Sequence, residues 1–535
     1  MSEIFKNKGS PAESKNYRGI SLVQLLAKLF DFILLNRFKK WFIPADGQTA
    51  YQPKLGCADH VFMLRCMTQY ARKYKKTLFL IAIDFDGAFD RVSRSLLIRK
   101  LCKFGAGTIF TACVASIYMS TDNVIFRDSE YITYKLFSGI KQGLPLSPLL
   151  FLFYINDIFD FFSSLYEYGR NEFEALHLLI HADDLTMIAH SRQEAISKLQ
   201  SLLQFCDLNK IIPQYSKCEF VVINGTESDR EPLPFGSAYL QHATHIVLLG
   251  SHLTSSASVE EDLKLHLQKR HPSVIKFYNF IRSNKSAPLK VKLKVLKACV
   301  VGSLLHNCET FGDYVPKDLE TTYFKLLKSC VNVRSNTPNY LVLLECGFLP
   351  IKAVIYSRQL KFYKRFKTSL QENSHRHKTF QFLLRNSTRY LKHYETLAAM
   401  YNDTNEITTE YLRDVKSKVY DFADNGKYKF YIYVAMNPNL SVSPFIDLYH
   451  PSAAIIIQFR LGSHYLPIET GRWRSSPREE RLCTVCGVLG DERHAIYECS
   501  LVIRDDIVLN EHIHRIWDQP DIFKLFERLR AAKFL

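Results

Sequence analysis

Apolar and polar positions along the first 250 residues switch repeatedly between helical and strand periods. The pattern predicts an amphipathic helix over Leu22 to Trp41, a short β-type run over Thr77 to Ile83, and helices over Ala88 to Phe104 and Thr108 to Ser120. A β-rich stretch follows from Asn123 to Phe137. Ser147-Pro148 then opens the apolar segment LLFLFYINDIFDFF, with Ser147 as N-cap and Pro148 at the first helical position, which predicts a buried helix of about four turns. Leu176 to Ile180 and Leu185 to Ala189 are apolar runs separated by His181-Ala182-Asp183-Asp184, the profile of a β-hairpin with acids at its turn. A helix over Arg192 to Asn209 and strand-like runs over Cys218 to Asn224 and His245 to Leu249 complete this half, which reads as an α+β domain. After about residue 255 helical periodicity dominates, aromatic and basic residues interleave over 345–480, and no internal repeat is visible.

Length and composition narrow the class. At roughly 100–200 residues per domain, 535 residues hold about three or four domains. Hydrophobic residues at 47% and charged residues at 23% exclude wholesale disorder and collagen-like repeats. There is no apolar segment after the charged start and no uninterrupted run of 18 apolar residues, so neither a signal peptide nor a membrane span is expected. Ten of the 13 cysteines are scattered singly, as Cys102, Cys113, Cys299 and Cys308 are, a pattern of reduced thiols. The net charge of +17 favours a polyanionic partner, and ten Lys or Arg against two acids over 261–300 suggest a helical region that tracks nucleic acid.

The candidate chemistry is acidic. The strand-like LFLIAI ends at Asp84, and the hairpin turn presents Asp183 and Asp184. Phosphoryl or nucleotidyl transfer needs hard carboxylate oxygens able to hold two divalent ions, and rigid strand ends supply such geometry better than loops do.

In order and spacing, Asp84-Phe85-Asp86-Gly87-Ala88-Phe89-Asp90, Gly139-Ile140-Lys141-Gln142-Gly143-Leu144-Pro145-Leu146-Ser147-Pro148 and Ala182-Asp183-Asp184 resemble palm motifs A, B and C of reverse transcriptases, of the non-LTR (LINE-type) retrotransposon variety. Asn16-Tyr17-Arg18-Gly19-Ile20-Ser21-Leu22 is similar to a fingers segment of that family, and Lys28-Leu29-Phe30 with Asn36-Arg37 to the helix after it. Lys217 and Leu249-Gly250 fall where motifs D and E are expected. Cys308-Glu309-Thr310 and Glu345-Cys346-Gly347-Phe348-Leu349-Pro350 are similar to its downstream segments.

The resemblance implies roles. Asp84 and Asp183 would be ligands shared by two Mg²⁺ ions, the Phe85 carbonyl would complete one shell, and Asp184 would be the second turn acid. Phe89 would lie beneath the sugar of the incoming nucleotide and exclude a 2′-hydroxyl, so the substrate would be a dNTP. Gln142-Gly143 would let the backbone approach the nascent base pair, Arg18 would hold the triphosphate, and Lys217 would protonate departing pyrophosphate. Two positions depart from the pattern. His181 stands where Tyr or Phe precedes Ala-Asp-Asp, and Pro53-Lys54-Leu55-Gly56-Cys57 lacks the aromatic-Arg pair of the fingers motif, so reduced polymerisation is expected. Relatives of this type carry an endonuclease. With 15 residues before Asn16 and 36 after Cys499, none is expected here.

Cys483, Cys486, His494 and Cys499 have the spacing of a closed, structural Zn²⁺ knuckle, and Arg472, Trp473, Arg474, Arg478 and Arg481 before it suit stacking on bases and pairing with phosphates. The expected fold is α+β, a right-hand polymerase with partial fingers and palm (1–255) and a helical thumb-like domain (256–340). A helical C-terminal region (341–480), a CCHC zinc knuckle (481–500) and a helical tail (501–535) follow. The expected activity is RNA-directed DNA synthesis on an RNA template from a DNA primer or target, inside an element RNA–protein complex, nuclear or cytoplasmic, without a membrane partner. The alternative is a non-catalytic RNA-binding remnant.

Overall fold

The computed structural model describes residues 2–5, 10–13, 16–119, 122–127, 130–166, 172–448, 452–503 and 506–535. The chain divides into two units, Met1–Asp262 with Phe362–Thr396, and Leu263–Lys361 with Leu397–Leu535.

The first unit opens with a strand pair, β1 (Ser2–Phe5) and β2 (Tyr17–Ile20). Helices α1 (Leu25–Trp41) and α2 (Cys57–Tyr74) lead to β3 (Leu78–Ile83), α3 (Arg94–Lys103) and α4 (Thr108–Met119). The hairpin β4 (Asp122–Arg127) and β5 (Glu130–Lys135) precedes α5 (Ser147–Ile155), α6 (Ile158–Leu165), β6 (Leu178–His181), β7 (Asp184–Ala189) and α7 (Arg192–Asn209). Then come β8 (Glu219–Ile223), the single turn α8 (Glu227–Arg230), β9 (Leu233–Phe235), β10 (Ala238–His242), and the hairpin β11 (His245–Leu248) with β12 (Ser251–Thr254). Leu249 and Gly250, at φ 48° and 78°, make the two-residue turn of that last hairpin.

The sheet runs β6-β7-β3-β8-β10-β9, with β3 antiparallel to both β7 and β8. Because side chains alternate along a strand, Phe79, Ile81 and Ile83 of β3 join the core of α1, α3, α4, α5 and α7. Thr186 of β7 points to the other face, where its Oγ1 lies 3.0 Å from Nε2 of His60 on α2. Strand β3 is therefore apolar throughout, as its sequence requires. On the α2 side Phe62 packs edge-on against Phe362, Phe366 and Tyr394, with ring centroids 4.9–5.2 Å apart, so the returning segment 362–396 closes this face.

Three sequence expectations change, and one helix appears where none was expected. Residues 88–93 are not helical: the Phe89 and Val92 carbonyls accept from Ile140 and Gly139 instead of from the next turn, and Ser93 caps α3. Ser147 does not cap α5. Its Oγ lies 2.7 Å from the Tyr118 hydroxyl, while the buried Asp31 of α1 accepts the Leu146 N–H at 2.7 Å. The four-turn apolar helix breaks at Asn156-Asp157, where Asn156 Oδ1 accepts the Ala45 N–H and Asp157 pairs with the largely buried Lys100. The stretch Ser147–Leu165 is long and apolar enough to cross a membrane by length and composition, yet half of it is buried in the protein. Helix α2 lies where the sequence reading placed no element; it is buried from Asp59 to Ala71 except for the half-buried Gln69, and exposed over its last three residues.

The second unit is mainly helical among the described residues. It contains most of α9 (Val259–Ser283), then α10 (Leu289–Val295), α11 (Gly302–Leu304), α12 (Lys317–Val331), α13 (Asn339–Cys346) and the start of α14 (Ile351–Ser369). Helix α15 (His375–Arg385) and most of α16 (Arg389–Met400) belong to the first unit, after which α17 (Thr404–Asp424), α18 (Tyr428–Met436), α19 (Ala453–Arg460), α20 (Pro467–Trp473), α21 (Glu492–Tyr497) and α22 (Ile522–Ala531) resume the second. Its interior holds a buried pair, Arg460 Nε to Glu345 Oε1 at 2.7 Å, and the Tyr433 hydroxyl donates to the other Glu345 oxygen at 2.8 Å. Glu345 thus serves packing, with every charge paired.

Candidate active site and cysteine–histidine cluster

Asp84 follows the last residue of β3, and Ile83 pairs with Leu185 of β7, so one further step sets Asp84 across from Asp184. The hairpin is tighter than the sequence suggests: His181 and Asp184 pair, which leaves Ala182 and Asp183 as the turn. Ala182 sits in the left-handed region at φ 59°, a conformation that costs an L-residue about 1 kcal/mol. Two sheet elements thereby deliver three carboxylates to one edge. The cost shows in Asp184: desolvation, then repulsion from Asp183 and Asp84, push its carboxyl up to about 6, against the pull of Lys217.

Beyond β3 the chain runs beside residues 212–214. Gln214 N–H donates to the Asp84 carbonyl at 2.7 Å, Asp86 N–H to the Ile212 carbonyl at 2.8 Å, and the buried Phe85 bridges to Pro213. This ribbon brings up Lys217, whose Nζ lies 2.7 Å from Asp84 Oδ2. The ammonium stands as a cation on a cluster of acids, which shows that the donor set accepts positive charge.

Two further motif-bearing loops meet each other and the segment after Asp84. Gln142 Nε2 donates to Asp90 Oδ1 at 3.1 Å, and the Ser21 N–H donates to the Gln142 carbonyl at 2.7 Å. Gly143 has φ 123°, and a Cβ there would stand 2.6 Å from the Ser21 carbonyl oxygen, so no side chain fits. Phe89 is half-buried, its ring stacked on Phe151 at 4.5 Å. Arg18 lies on β2, and its side chain is outside the described residues.

His181 is anchored. Its Nδ1 lies 2.9 Å from Thr49 Oγ1 and its Nε2 lies 3.4 Å from Cys57 Sγ, while the Thr49 hydroxyl reaches the Ile180 carbonyl at 3.2 Å. A consistent proton arrangement is Nδ1–H to Thr49, Thr49 O–H to the Ile180 carbonyl, and Cys57 S–H to Nε2. Burial lowers the His181 pKa and so favours this neutral ring. The sequence pattern marked neither Thr49 nor the neighbouring Gln48, because residues 44–50 carry no periodicity. Only the return of that loop to β6 reveals them.

Cys483, Cys486, His494 and Cys499 bring their ligand atoms within 4.8 Å of one another. A short hairpin makes the first pair: Cys483 N–H donates to the Val488 carbonyl at 2.7 Å, and Gly487 N–H to the Cys483 carbonyl at 2.9 Å. Asp491 caps α21 and so orients His494, whose Nδ1 faces Glu498 at 3.4 Å. His494 Nε2 is buried without a hydrogen-bond partner, an orphan that a metal ion would satisfy. Ser500 draws the Cys486 thiol down to about 7, toward the thiolate a metal needs.

The cations before this cluster divide. Arg481 donates to the Ser476 carbonyl at 2.7 and 3.0 Å and to the Ile468 carbonyl at 3.2 Å, and Arg472 pairs with Glu469 at 2.7 Å, so both brace the fold. The Arg334 guanidinium covers the Trp473 ring at 3.4 Å, so the base-stacking expected of Trp473 meets a face already occupied. Along α9, α10 and the segment between and after them, Lys264, Lys269, Lys276, Arg282, Lys285, Lys294 and Lys297 are exposed.

Residues 5–253 match the family described as reverse transcriptase (RNA-dependent DNA polymerase). The chain is similar to the Pol polyprotein of the type-2 retrotransposable element R2DM of Drosophila melanogaster, 26% identical over 39% of this chain and 20% of that protein. It is also similar to the R2 Pol polyprotein of Popillia japonica, 23% identical over 62% of this chain and 47% of that one. It therefore spans about half the length or less of these relatives. Among solved structures it is similar to apo telomerase of Candida tropicalis, 14% identical with a TM-score of 0.34, over 73% of this chain and 60% of that one.

Proposed function

We propose that the chain, whose residues 5–253 match the reverse transcriptase family, is a polymerase of the non-LTR retrotransposon type that copies RNA into DNA by extending a DNA 3′-hydroxyl with dNTPs. The observation that carries this reading is the delivery of Asp84 and Asp183-Asp184 by β3 and the β6–β7 hairpin to one sheet edge, with Lys217 already on Asp84.

Asp84 and Asp183 would hold two Mg²⁺ ions, which when bound supply charge neutralisation for the attacking and leaving oxygens. The chain's own groups do the rest. The primer 3′-hydroxyl loses its proton to water as its oxygen bonds to the α-phosphorus of the dNTP, the bond to pyrophosphate breaks, and Lys217 gives that leaving oxygen a proton. Phe89 excludes the 2′-hydroxyl from beneath the sugar, and Gly143 lets the backbone close on the base pair. Arg18 is assigned to the triphosphate by its place in the motif.

The basic helices α9 and α10 supply exposed cations for the phosphates of an RNA template and DNA primer, a term that weakens with salt. At the cysteine–histidine cluster, Cys483, Cys486, His494 and Cys499 would hold one Zn²⁺, leaving no open position and hence a structural role.

The test is primer extension on a primed RNA template, with and without Mg²⁺. Wild-type protein should incorporate dNTPs only with Mg²⁺, and Asp183→Asn should abolish incorporation. RNA binding without extension would instead establish a non-catalytic remnant.

A further inference from the structure

The catalytic hairpin does not hold its own turn. Ala182 lies in the left-handed region, and in an isolated hairpin its N–H would face solvent. Here it donates to Gln48 Oε1 at 3.0 Å, and the Ala50 N–H donates to the same oxygen at 3.0 Å. Two N–H donors on one atom fix the amide orientation, since nitrogen could accept neither. Gln48 is buried, and its Nε2 has no hydrogen-bond partner. The amide is therefore held through its oxygen alone, by the two backbone donors.

The loop carrying Gln48 is fastened on both sides. Gln48 bridges in parallel to Ile180, with the Thr49 N–H on the Ile180 carbonyl at 2.8 Å and the Ile180 N–H on the Gly47 carbonyl at 2.9 Å. Gly47 has to be glycine, because a Cβ there would run into the Phe159 ring. One step earlier, Asp46 is gripped by the segment that returns to this unit. Arg376 donates Nη2 to Oδ1 at 2.7 Å and Nε to Oδ2 at 3.1 Å, and the Ser374 hydroxyl adds a bond to Oδ2 at 2.6 Å. Arg376 and Asp46 are buried, so this bidentate pair acts with little solvent screening.

We propose that Gln48 is the positioning residue of the catalytic turn, and that Arg376, nearly 200 residues beyond the hairpin in sequence, locks the loop that presents it. The inference rests on the polymerase reading. The turn carries Asp183, so a displacement of its backbone moves a carboxylate, and misplacement on the scale of 1 Å costs about a hundred-fold in rate.

The experiment uses the full chain. Gln48→Met keeps size and removes the acceptor, Gln48→Glu keeps the acceptor, and the paired change Asp46→Asn with Arg376→Met loosens the loop without stranding a charge. Circular dichroism checks folding, hydrogen exchange reads the amide of residue 182, and primer extension gives kcat, dNTP KM and the Mg²⁺ half-saturation. For Gln48→Met we expect exchange at residue 182 to accelerate at least about ten-fold while β6 and β7 stay protected. Its kcat should fall by about a hundred-fold with little change in KM, and the Mg²⁺ requirement should rise several-fold. Gln48→Glu should retain protection and most of kcat, and the paired change should loosen residue 182 as Gln48→Met does. Unchanged exchange at residue 182 in Gln48→Met, or a kcat loss that only tracks the unfolded fraction, overturns the positioning role. An unchanged residue 182 in the paired variant overturns the lock. A wild-type protein that extends nothing overturns the polymerase reading alone, because the exchange data still decide whether Gln48 holds the turn.

Discussion

Lys217 Nζ lies 2.7 Å from Asp84 Oδ2, so the first carboxylate of the acidic edge carries a cation supplied by the chain itself. Lys217 is more than half exposed, so this pair is held by geometry more than by burial. If Asp84 holds Mg²⁺ as proposed, the ammonium competes with the metal. Lys217→Met should therefore reach half-maximal extension at a lower Mg²⁺ concentration. The same variant should lose about 10² in kcat, the contribution of a positioned general acid. A Mg²⁺ titration of single-turnover extension measures both, and a half-saturation that does not fall would show that Lys217 leaves Asp84 before metal enters.

Phe89 is held by its stack on Phe151 at 4.5 Å, which fixes the rotamer that the proposed sugar contact needs. Phe89→Val opens that space. Ribonucleotide incorporation relative to dNTP incorporation should rise by about ten-fold or more, the range open to a purely steric filter. Competitive extension with matched dNTP and NTP pairs gives the ratio, and unchanged discrimination would remove Phe89 from the nucleotide site.

Burial lowers the pKa of His60 to about 3, and the ring stays neutral behind β7 beside Thr186. In the unfolded chain it protonates near 6.5. A depressed folded-state pKa means that stability is level above about pH 6.5 and falls as the pH drops toward the folded value, because the unfolded state then binds the extra proton. At pH 5 the loss from this residue is about 2 kcal/mol. His177 and His190, drawn to about 3 and about 4 chiefly by burial, act in the same direction. Unfolding free energies from urea titrations at pH 7.5 and 5 should therefore differ strongly in the wild type, and by about 2 kcal/mol less in His60→Gln, which keeps a polar partner for Thr186.

The knuckle residues make a separate prediction. Purified protein should contain one zinc per chain, and Cys486→Ser should release it. Elemental analysis and a chelator-dependent fall in melting temperature report the loss, since a four-ligand site contributes binding free energy as folding free energy. A protein with full zinc in Cys486→Ser would place the metal elsewhere.

Asp84, Gln142-Gly143 and Asp183-Asp184, in that order and with apolar runs around the acids, made the resemblance to the palm motifs legible, and the apolar runs announced the strands that carry the acids. The cysteine–histidine cluster was equally legible, because its four residues are local in sequence. What the sequence could not determine is who holds whom across long separations. Phe89 and Val92 lie in a stretch with helical periodicity, yet their carbonyls are taken by Gly139 and Ile140, and the helix starts late. Ser147 has the chemistry of a cap and loses the position to Asp31, more than a hundred residues away. In helix α2 the polar residues His60 and Arg65, which a surface helix would turn to solvent, are buried against Thr186 and the His252 carbonyl. Gln48 and Arg376 belong to segments with neither periodicity nor motif, and their meaning exists only once the loop and the returning helix meet at β6. Local rules act over one or two turns of chain. Hydrogen bonds and buried charges choose partners by space, and only the tertiary structure decides which residues stand behind the catalytic turn.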